Sequence, residues 1–348
     1  MTIKEISEVE YREIKRNSSS SLKDFSLDRR KYQRKYILGE TIKEKPNKAS
    51  DMGRLVETLL MEPERFDELF FMSSLASVPG GMLGDFIYFL SEEVSKYEHE
   101  ELTDEEFAIS TNIAHKKSGF KHKLPTVLKK LDDPENELYY SECLRVNKLG
   151  MTMVTPQDID NAEQIVKALK TNRNTANIVN LETNKDFTVI NQMKIDGYQI
   201  DGLLLKSMLD KVIINHITKT ITPFDLKCTW SVENFFKEYY LFRRTYIQAY
   251  LYKRAIIELT ENPESIYHRY SVENTTFIVC DSINYYDPLI YTLSEDDMRD
   301  AYLGFTHKYT YYPGVKDIIE DLHWAIDKDM WGISKRNFEK KGILNIKD

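Results

Sequence analysis

Alternation of apolar and polar positions is clearest around residues 212–224. Val212, Ile213 and Ile214 read as a strand running out, and Thr220, Ile221, Pro223 and Phe224 as one running back. A turn centred on Ile217-Thr218 sets positions whose numbers sum to 435 against each other, so Asp210 falls opposite Asp225. Beyond the hairpin the period changes. From Ser231 to about Glu258 apolar residues recur at helical spacing, with Phe235, Phe236, Tyr239, Phe242, Ile247, Leu251 and Ala255 on one face. Gln248 and Tyr252, four apart, are neighbours on that helix.

Upstream, residues 1–130 read mainly as helix: one near residues 4–16, one from Ser21, and one from Ala49 through Leu60. Val78-Pro79-Gly80-Gly81 interrupts the pattern as a loop, and Thr103-Asp104-Glu105-Glu106 has the form of a capping box. The acidic run Asp132 to Glu137 reads as a connector. A helix starts at Thr155-Pro156-Gln157-Asp158 and runs to about Thr171, and Phe187 to Met193 opens a sheet. Asp196-Gly197 and Asp201-Gly202 punctuate the approach to the hairpin. These elements predict an α/β fold: a mixed central β-sheet flanked by helices, with an N-terminal helical portion as a wall or lid.

Directly opposed residues of a hairpin have Cβ atoms about 4.5–5.5 Å apart, so Asp210 and Asp225 form a facing carboxylate pair in the simple register. Lys227 lies two residues beyond Asp225 and shares its face. Such a pair repels unless a cation neutralises it, and Mg²⁺ or Mn²⁺ does so with hard oxygen ligands. A bound ion of this kind polarises a phosphoryl oxygen and acidifies a bound water, and an adjacent ammonium orients that water or meets developing charge. Together these are the parts of phosphodiester hydrolysis. The same alternation of Asp and Lys also suits a solvated hairpin face.

Asp225-Leu226-Lys227 followed by Gln248-Ala249-Tyr250-Leu251-Tyr252, with an Asp upstream, resembles the RecB/RecE-like branch of the PD-(D/E)XK nuclease superfamily, of the RecE and lambda-exonuclease type. Two residues compete for the upstream Asp. Asp201, in Gln199-Ile200-Asp201-Gly202-Leu203-Leu204-Leu205, has the closer motif context and is preferred; it requires a longer hairpin, turning near Ser207 to Asp210 with a bulge in the returning strand. Asp210 has the better register but reads as a turn residue. A second block, Gly53 to Phe66, resembles the Gly-x-x-x-His helix and the following Leu-Glu-Pro-Glu-x-Phe of RecE-type exonucleases, with Glu57 in place of the histidine. Ser18 to Tyr36 looks like the family's opening helix, and Thr276 to Ser294 like its closing strand pair and the start of a last helix. Residues 67–185 match no family segment.

The resemblance implies a single nuclease-like domain over 1–348 with a restriction-endonuclease-like core. Residues 1–130 would be its helical N-terminal portion, 185–260 would carry the catalytic motifs, and 261–348 the C-terminal strands and helix. It implies Mg²⁺ (or Mn²⁺) held by Glu57, Asp201, Asp225 and the Leu226 carbonyl. Lys227 would activate water, and Gln248 and Tyr252 would position the phosphate or Lys227. It also implies DNA as substrate, and relatives of this type often form homo-oligomeric rings and work with a single-strand annealing protein.

Composition narrows the classes. The 348 residues include 22 Tyr and 16 Phe at 41 % hydrophobic content, enough for a sizeable core. No apolar stretch approaches the roughly 18 residues of a membrane span, and the start lacks a signal-peptide pattern, so a soluble, cytoplasmic protein is expected. Three scattered cysteines, Cys143, Cys228 and Cys280, exclude a disulfide framework, a zinc cluster and the four-thiolate iron–sulfur cluster of some relatives. The seven histidines form no His-x-x-x-His pair. A net charge of −8 requires a DNA enzyme to concentrate its cations. Candidates are Arg29 to Lys35 with Tyr32 and Tyr36, the lysines from Lys116 to Lys130, and Arg243 and Arg244 beside Gln248. Trp324 and Trp331 read as packing residues. A metal-dependent exonuclease acting from DNA ends is the leading expectation; an endonuclease on the same site, or a nuclease fold that binds without cutting, are the alternatives.

Overall fold

The computed structural model describes residues 2–3, 5–40, 47–99 and 102–343. In chain order the described strands are β1 Thr2–Ile3, β2 Phe70–Met72, β3 Thr152–Val154, β4 Phe187–Ile200, β5 Leu203–Asn215 and β6 Thr220–Thr229. They continue with β7 Ser271–Val272, β8 Thr276–Asp281, β9 Leu289–Tyr291, β10 Phe305–His307 and β11 Thr310–Tyr312. The chain forms two compact units, residues 1–44 with 168–348 and residues 45–167. The boundaries between the units fall at 44/45, inside the 1–130 portion, and at 167/168.

The first unit is built on one mixed sheet of order β1-β4-β5-β6-β8-β9, with β7 pairing the start of β6. All neighbours are antiparallel except β6, which runs parallel to β7 and β8. Parallel strands need a crossover, and here it contains the helices Phe236–Phe242 and Thr245–Glu261. The predicted fold class is thus what the structure has.

The β4–β5 hairpin turns at Asp201-Gly202, both left-handed with φ 47° and 81°. Asp-Gly is the sequence that a two-residue turn of this hand favours, because both central residues need positive φ. Asp196-Gly197 is a bulge, where the register shifts between Asp196 and Tyr198. The β5–β6 hairpin keeps the predicted register, from Asn215 opposite Thr220 to Lys211 opposite Phe224.

The main core of this unit packs Leu22 and Phe25 of the Ser19–Leu27 helix, Tyr246, Ile247 and Leu251, and Ile318 and Leu322 of the Val315–Lys328 helix onto Ile195, Leu205, Leu209 and Val212. A second cluster joins Phe235, Tyr239 and Ala249 to Phe277, Val279 and Met298. The continuous helix expected from Ser231 is broken at Arg244, whose φ of 54° ends one segment and starts the next. Phe236 and Phe242 accordingly leave the apolar face and are 44 % and 73 % exposed. Trp331 packs in the main core and Trp324 against it, as expected.

The second unit contains the helices Lys48–Met61, Gly81–Val94, Asp104–Ser118 and Pro134–Leu149 and the parallel pair β2–β3. Its core gathers Phe86, Ile87, Leu90, Ala114, Val127 and Cys143. The Thr103 capping box is present. The acidic run expected to be a connector is instead a helix start: Asp133 accepts from the Glu135 and Asn136 amides, Pro134 takes the first helical position, and Glu135 and Glu137 face the positive end of the dipole. No helix among the described residues is long and apolar enough to cross a membrane.

Candidate active site

Strands β5 and β6 stop pairing after Lys211–Phe224. Beyond that point Asp225 to Thr229 of β6 pair only with β8, and the side chain of Asp210 takes over from the ladder, its Oδ2 accepting the Leu226 amide at 2.9 Å. The carboxylate of Asp210 is thereby brought to the backbone beside Asp225. A point where two strands diverge offers polar side chains a place that neither sheet face nor loop provides.

Asp225 is fully buried. Its Oδ1 accepts from Gln248 Nε2 at 2.6 Å. Its Oδ2 is ion-paired with the Lys227 ammonium, which shares its face of β6, yet receives no hydrogen bond. A buried carboxylate oxygen met by an ammonium keeps lone-pair capacity, and it suits a hard cation. Gln248 Nε2 also reaches Tyr252 Oη at 2.8 Å, and Tyr252 donates to the Met208 carbonyl of β5 at 2.6 Å. The two helix residues singled out by their spacing therefore clamp Asp225 between β5 and the Thr245–Glu261 helix.

Lys23 completes the cluster and had no signal in the sequence. From the Ser19–Leu27 helix its Nζ donates to Gln248 Oε1 at 3.3 Å. Burial first, then the Lys227 charge, lowers its pKa to about 8, against the opposing pull of Asp225, Asp24 and Asp210. The folded protein therefore loses this proton before the unfolded chain does. The charged side chain opposes folding below that value, and the penalty fades as pH rises from about 8 towards the ordinary 10.5. In metal-free protein, wild type should gain thermal stability relative to Lys23→Met between about pH 7 and pH 10; a constant difference across that range would mean the lysine titrates normally.

The structure places Asp201, the preferred upstream Asp, away from Asp225. It occupies the β4–β5 turn, exposed, with both carboxylate oxygens accepting from Tyr302 Oη at 3.0 and 3.1 Å. At about 3.4 Å per residue, the strand from there to Asp210 spans roughly 30 Å. The hairpin does not turn near Ser207 to Asp210, because Asp-Gly already makes the turn and the bulge lies on β4. Asp201 and Asp225 are thus not brought together. Glu57, half-buried, lies on the Lys48–Met61 helix of the second unit. Among the described residues no group of three or more His, Cys, Asp and Glu side chains could hold a metal ion. Asp210 and Asp225 bring carboxylate oxygens to the β6 edge, where the Leu226 carbonyl also lies.

The basic run is largely neutralised within the fold. Arg29 pairs with Asp321, Lys31 and Lys35 with Asp24, and Arg34 with Glu40. Arg244 is half-buried and donates to the Ser26 carbonyl at 2.7 Å, whereas Arg243 is exposed with its guanidinium 4.6 Å over the Tyr239 ring. Lys116, Lys121, Lys123, Lys129 and Lys130 of the second unit are exposed. Cys228 and Cys280, far apart in sequence, are adjacent on β6 and β8 with sulfurs 3.0 Å apart.

No protein-family model matches the chain. No curated protein matches it either. Among solved structures, the "Putative exonuclease" of Eubacterium rectale aligns with a TM-score of 0.45 at 12 % identity, over 86 % of this chain and 81 % of that one.

Proposed function

We propose that this protein is a metal-dependent deoxyribonuclease that hydrolyses phosphodiester bonds and acts from DNA ends. One observation carries the proposal: a fully buried Asp225 whose carboxylate is flanked by Lys227 and Gln248, with Asp210 delivered to the same strand edge. Asp210, Asp225 and the Leu226 carbonyl would hold Mg²⁺ or Mn²⁺. Mg²⁺ is commonly bound through one or two carboxylates, with waters and substrate phosphates filling the rest, so Glu57 is not required as a third ligand. When bound, the ion supplies Lewis acidity and a more acidic water. Lys227 offers an ammonium to the attacking water or to charge growing on the phosphate oxygens. Gln248 and Tyr252 are positioning residues: Gln248 holds Asp225 by a hydrogen bond, and Tyr252 anchors Gln248 to the Met208 carbonyl of β5. Support for the RecB/RecE-like reading is the order strand Asp, Asp-x-Lys, then a helix whose Gln reaches the second Asp and whose Tyr meets that Gln. It departs from the sequence-based assignment in taking Asp210 as the first Asp.

The test is incubation with linear and covalently closed circular DNA in Mg²⁺, Mn²⁺ or EDTA. Loss of the linear form alone, blocked by EDTA, is expected. Cutting of circles would make the protein an endonuclease on the same residues, and inertness in both metals would remove the nuclease assignment.

A further inference from the structure

Next to the Asp225 network the Ser19–Leu27 helix and the end of the Phe236–Phe242 helix form a cavity of about 270 Å³ lined by Ser20, Lys23, Asp24, Leu27, Phe242 and Arg243. Its inner wall is Lys23, which holds Gln248, so the cavity adjoins the residue that clamps Asp225. Its outer rim has no part in the hydrolytic chemistry assigned above. Phe242 there is 73 % exposed and Leu27 58 %, and Arg243 beside Phe242 is exposed.

The charge of this lining is positive. Asp24 is its one acidic residue, and it already meets Lys31, Lys35 and the Tyr36 hydroxyl. Lys23 and Arg243 are the cations of the lining, the first also donating to Gln248 and the second lying over the Tyr239 ring. The rim is also held in place: Arg244, left-handed at φ 54°, donates to the Ser26 carbonyl at 2.7 Å and ties the kink to the end of the opposite helix. An aromatic face flanked by two cations, on anchored elements, matches a nucleotide, whose base stacks on aromatic rings while its phosphate meets Lys and Arg.

We propose that this cavity is a subsite for one nucleotide of a single strand, with its base stacked on Phe242 and its phosphate between Lys23 and Arg243. The identity of the ligand rests on the nuclease reading. A base inside a duplex has both faces covered by its neighbours and cannot stack on a side chain without leaving the helix. The strand that reaches Asp225 is therefore unpaired at this nucleotide, and single-stranded or frayed ends are the preferred substrate.

Binding, not cutting, tests the subsite. A fluorescein-labelled oligothymidylate of about 12 nucleotides, within the usual single-strand site sizes, is titrated by anisotropy in EDTA and in Ca²⁺. Phe242→Ala should weaken binding by about 5- to 100-fold, the range for losing one base–aromatic stack, and should change nothing on a strand of abasic sites. Arg243→Ala should reduce the slope of log affinity against log salt by about 0.7, as expected for one lost phosphate contact on single strands. Failure of the wild type to bind in both buffers, unchanged affinity of Phe242→Ala, or an equal loss on the abasic strand would overturn the subsite. Cleavage of the same strand in Mg²⁺ is followed in parallel. Binding through Phe242 without cleavage keeps the subsite and refutes the nuclease; cleavage indifferent to Phe242 refutes the subsite alone.

Discussion

Asp225→Asn and Lys227→Ala should each reduce DNA cleavage by about 10²- to 10³-fold, the range for deleting one preorganised electrostatic group. Asparagine matches aspartate in volume and keeps an oxygen for Gln248, but it turns an amide donor towards the Lys227 ammonium and removes the negative charge. Both cation binding and the orientation of Lys227 are lost. Lys227→Ala leaves the buried Oδ2 of Asp225 with neither hydrogen bond nor countercharge, so it should also lower stability, by about 1–3 kcal/mol for an unsatisfied buried group. Circular dichroism and denaturant melts separate that cost from the chemistry, and Mn²⁺ binding by calorimetry reads the site without any turnover. Full cleavage by either variant would place the chemistry elsewhere in the chain.

Asp210→Ala should be nearly as damaging, about 10²-fold or more, while Asp201→Ala leaves cleavage unchanged. The contrast follows from position. Asp210 accepts the Leu226 amide at the edge where β5 and β6 part, and its removal takes one of two carboxylates from that edge. Asp201 serves the turn. At φ 47° it holds a conformation that costs an ordinary L-residue about 1–2 kcal/mol. Asp201→Ala should therefore lower stability by about 1 kcal/mol or more, and Asp201→Gly or Asp201→Asn should recover most of it. The reverse pattern, activity lost at 201 and kept at 210, would move the upstream carboxylate to the turn.

Much of the site was legible in local pattern. The β5–β6 register followed from apolar alternation and a short polar turn, because a slip of one residue would expose every inward side chain. That register by itself sets Asp210 against Asp225. Spacing of four put Gln248 and Tyr252 on one helix face, where both reach into the Asp225 network. Motif context then pulled the assignment towards Asp201, although Asp-Gly followed by an apolar run is equally the signature of a tight hairpin turn. Two physical meanings share that string, and in this chain the turn prevails.

Other features had no local signal. The kink at Arg244 is paired with a contact to Ser26 more than two hundred residues away in sequence, and it moved Phe242 from the predicted core face to the surface. The run from Arg29 to Lys35 has the composition of a binding strip, but Asp24, Glu40 and Asp321 neutralise much of it within the fold. Nothing in residues 67–185 announced that most of them would build a unit with its own core.

By itself the sequence determined the α/β class, the hairpin register and the placement of Asp225, Lys227, Gln248 and Tyr252 on a strand and the following helix, since these depend on periodicities of two and about 3.6 residues. Tertiary structure alone decided that Asp210 meets the Leu226 amide beside Asp225 while Asp201 lies in a turn, that Lys23 reaches Gln248, and that a cavity with an exposed Phe242 lies alongside. Those outcomes depend on where strands diverge and which helices meet across the sheet, and contacts between residues distant in the chain leave no period for a sequence to display.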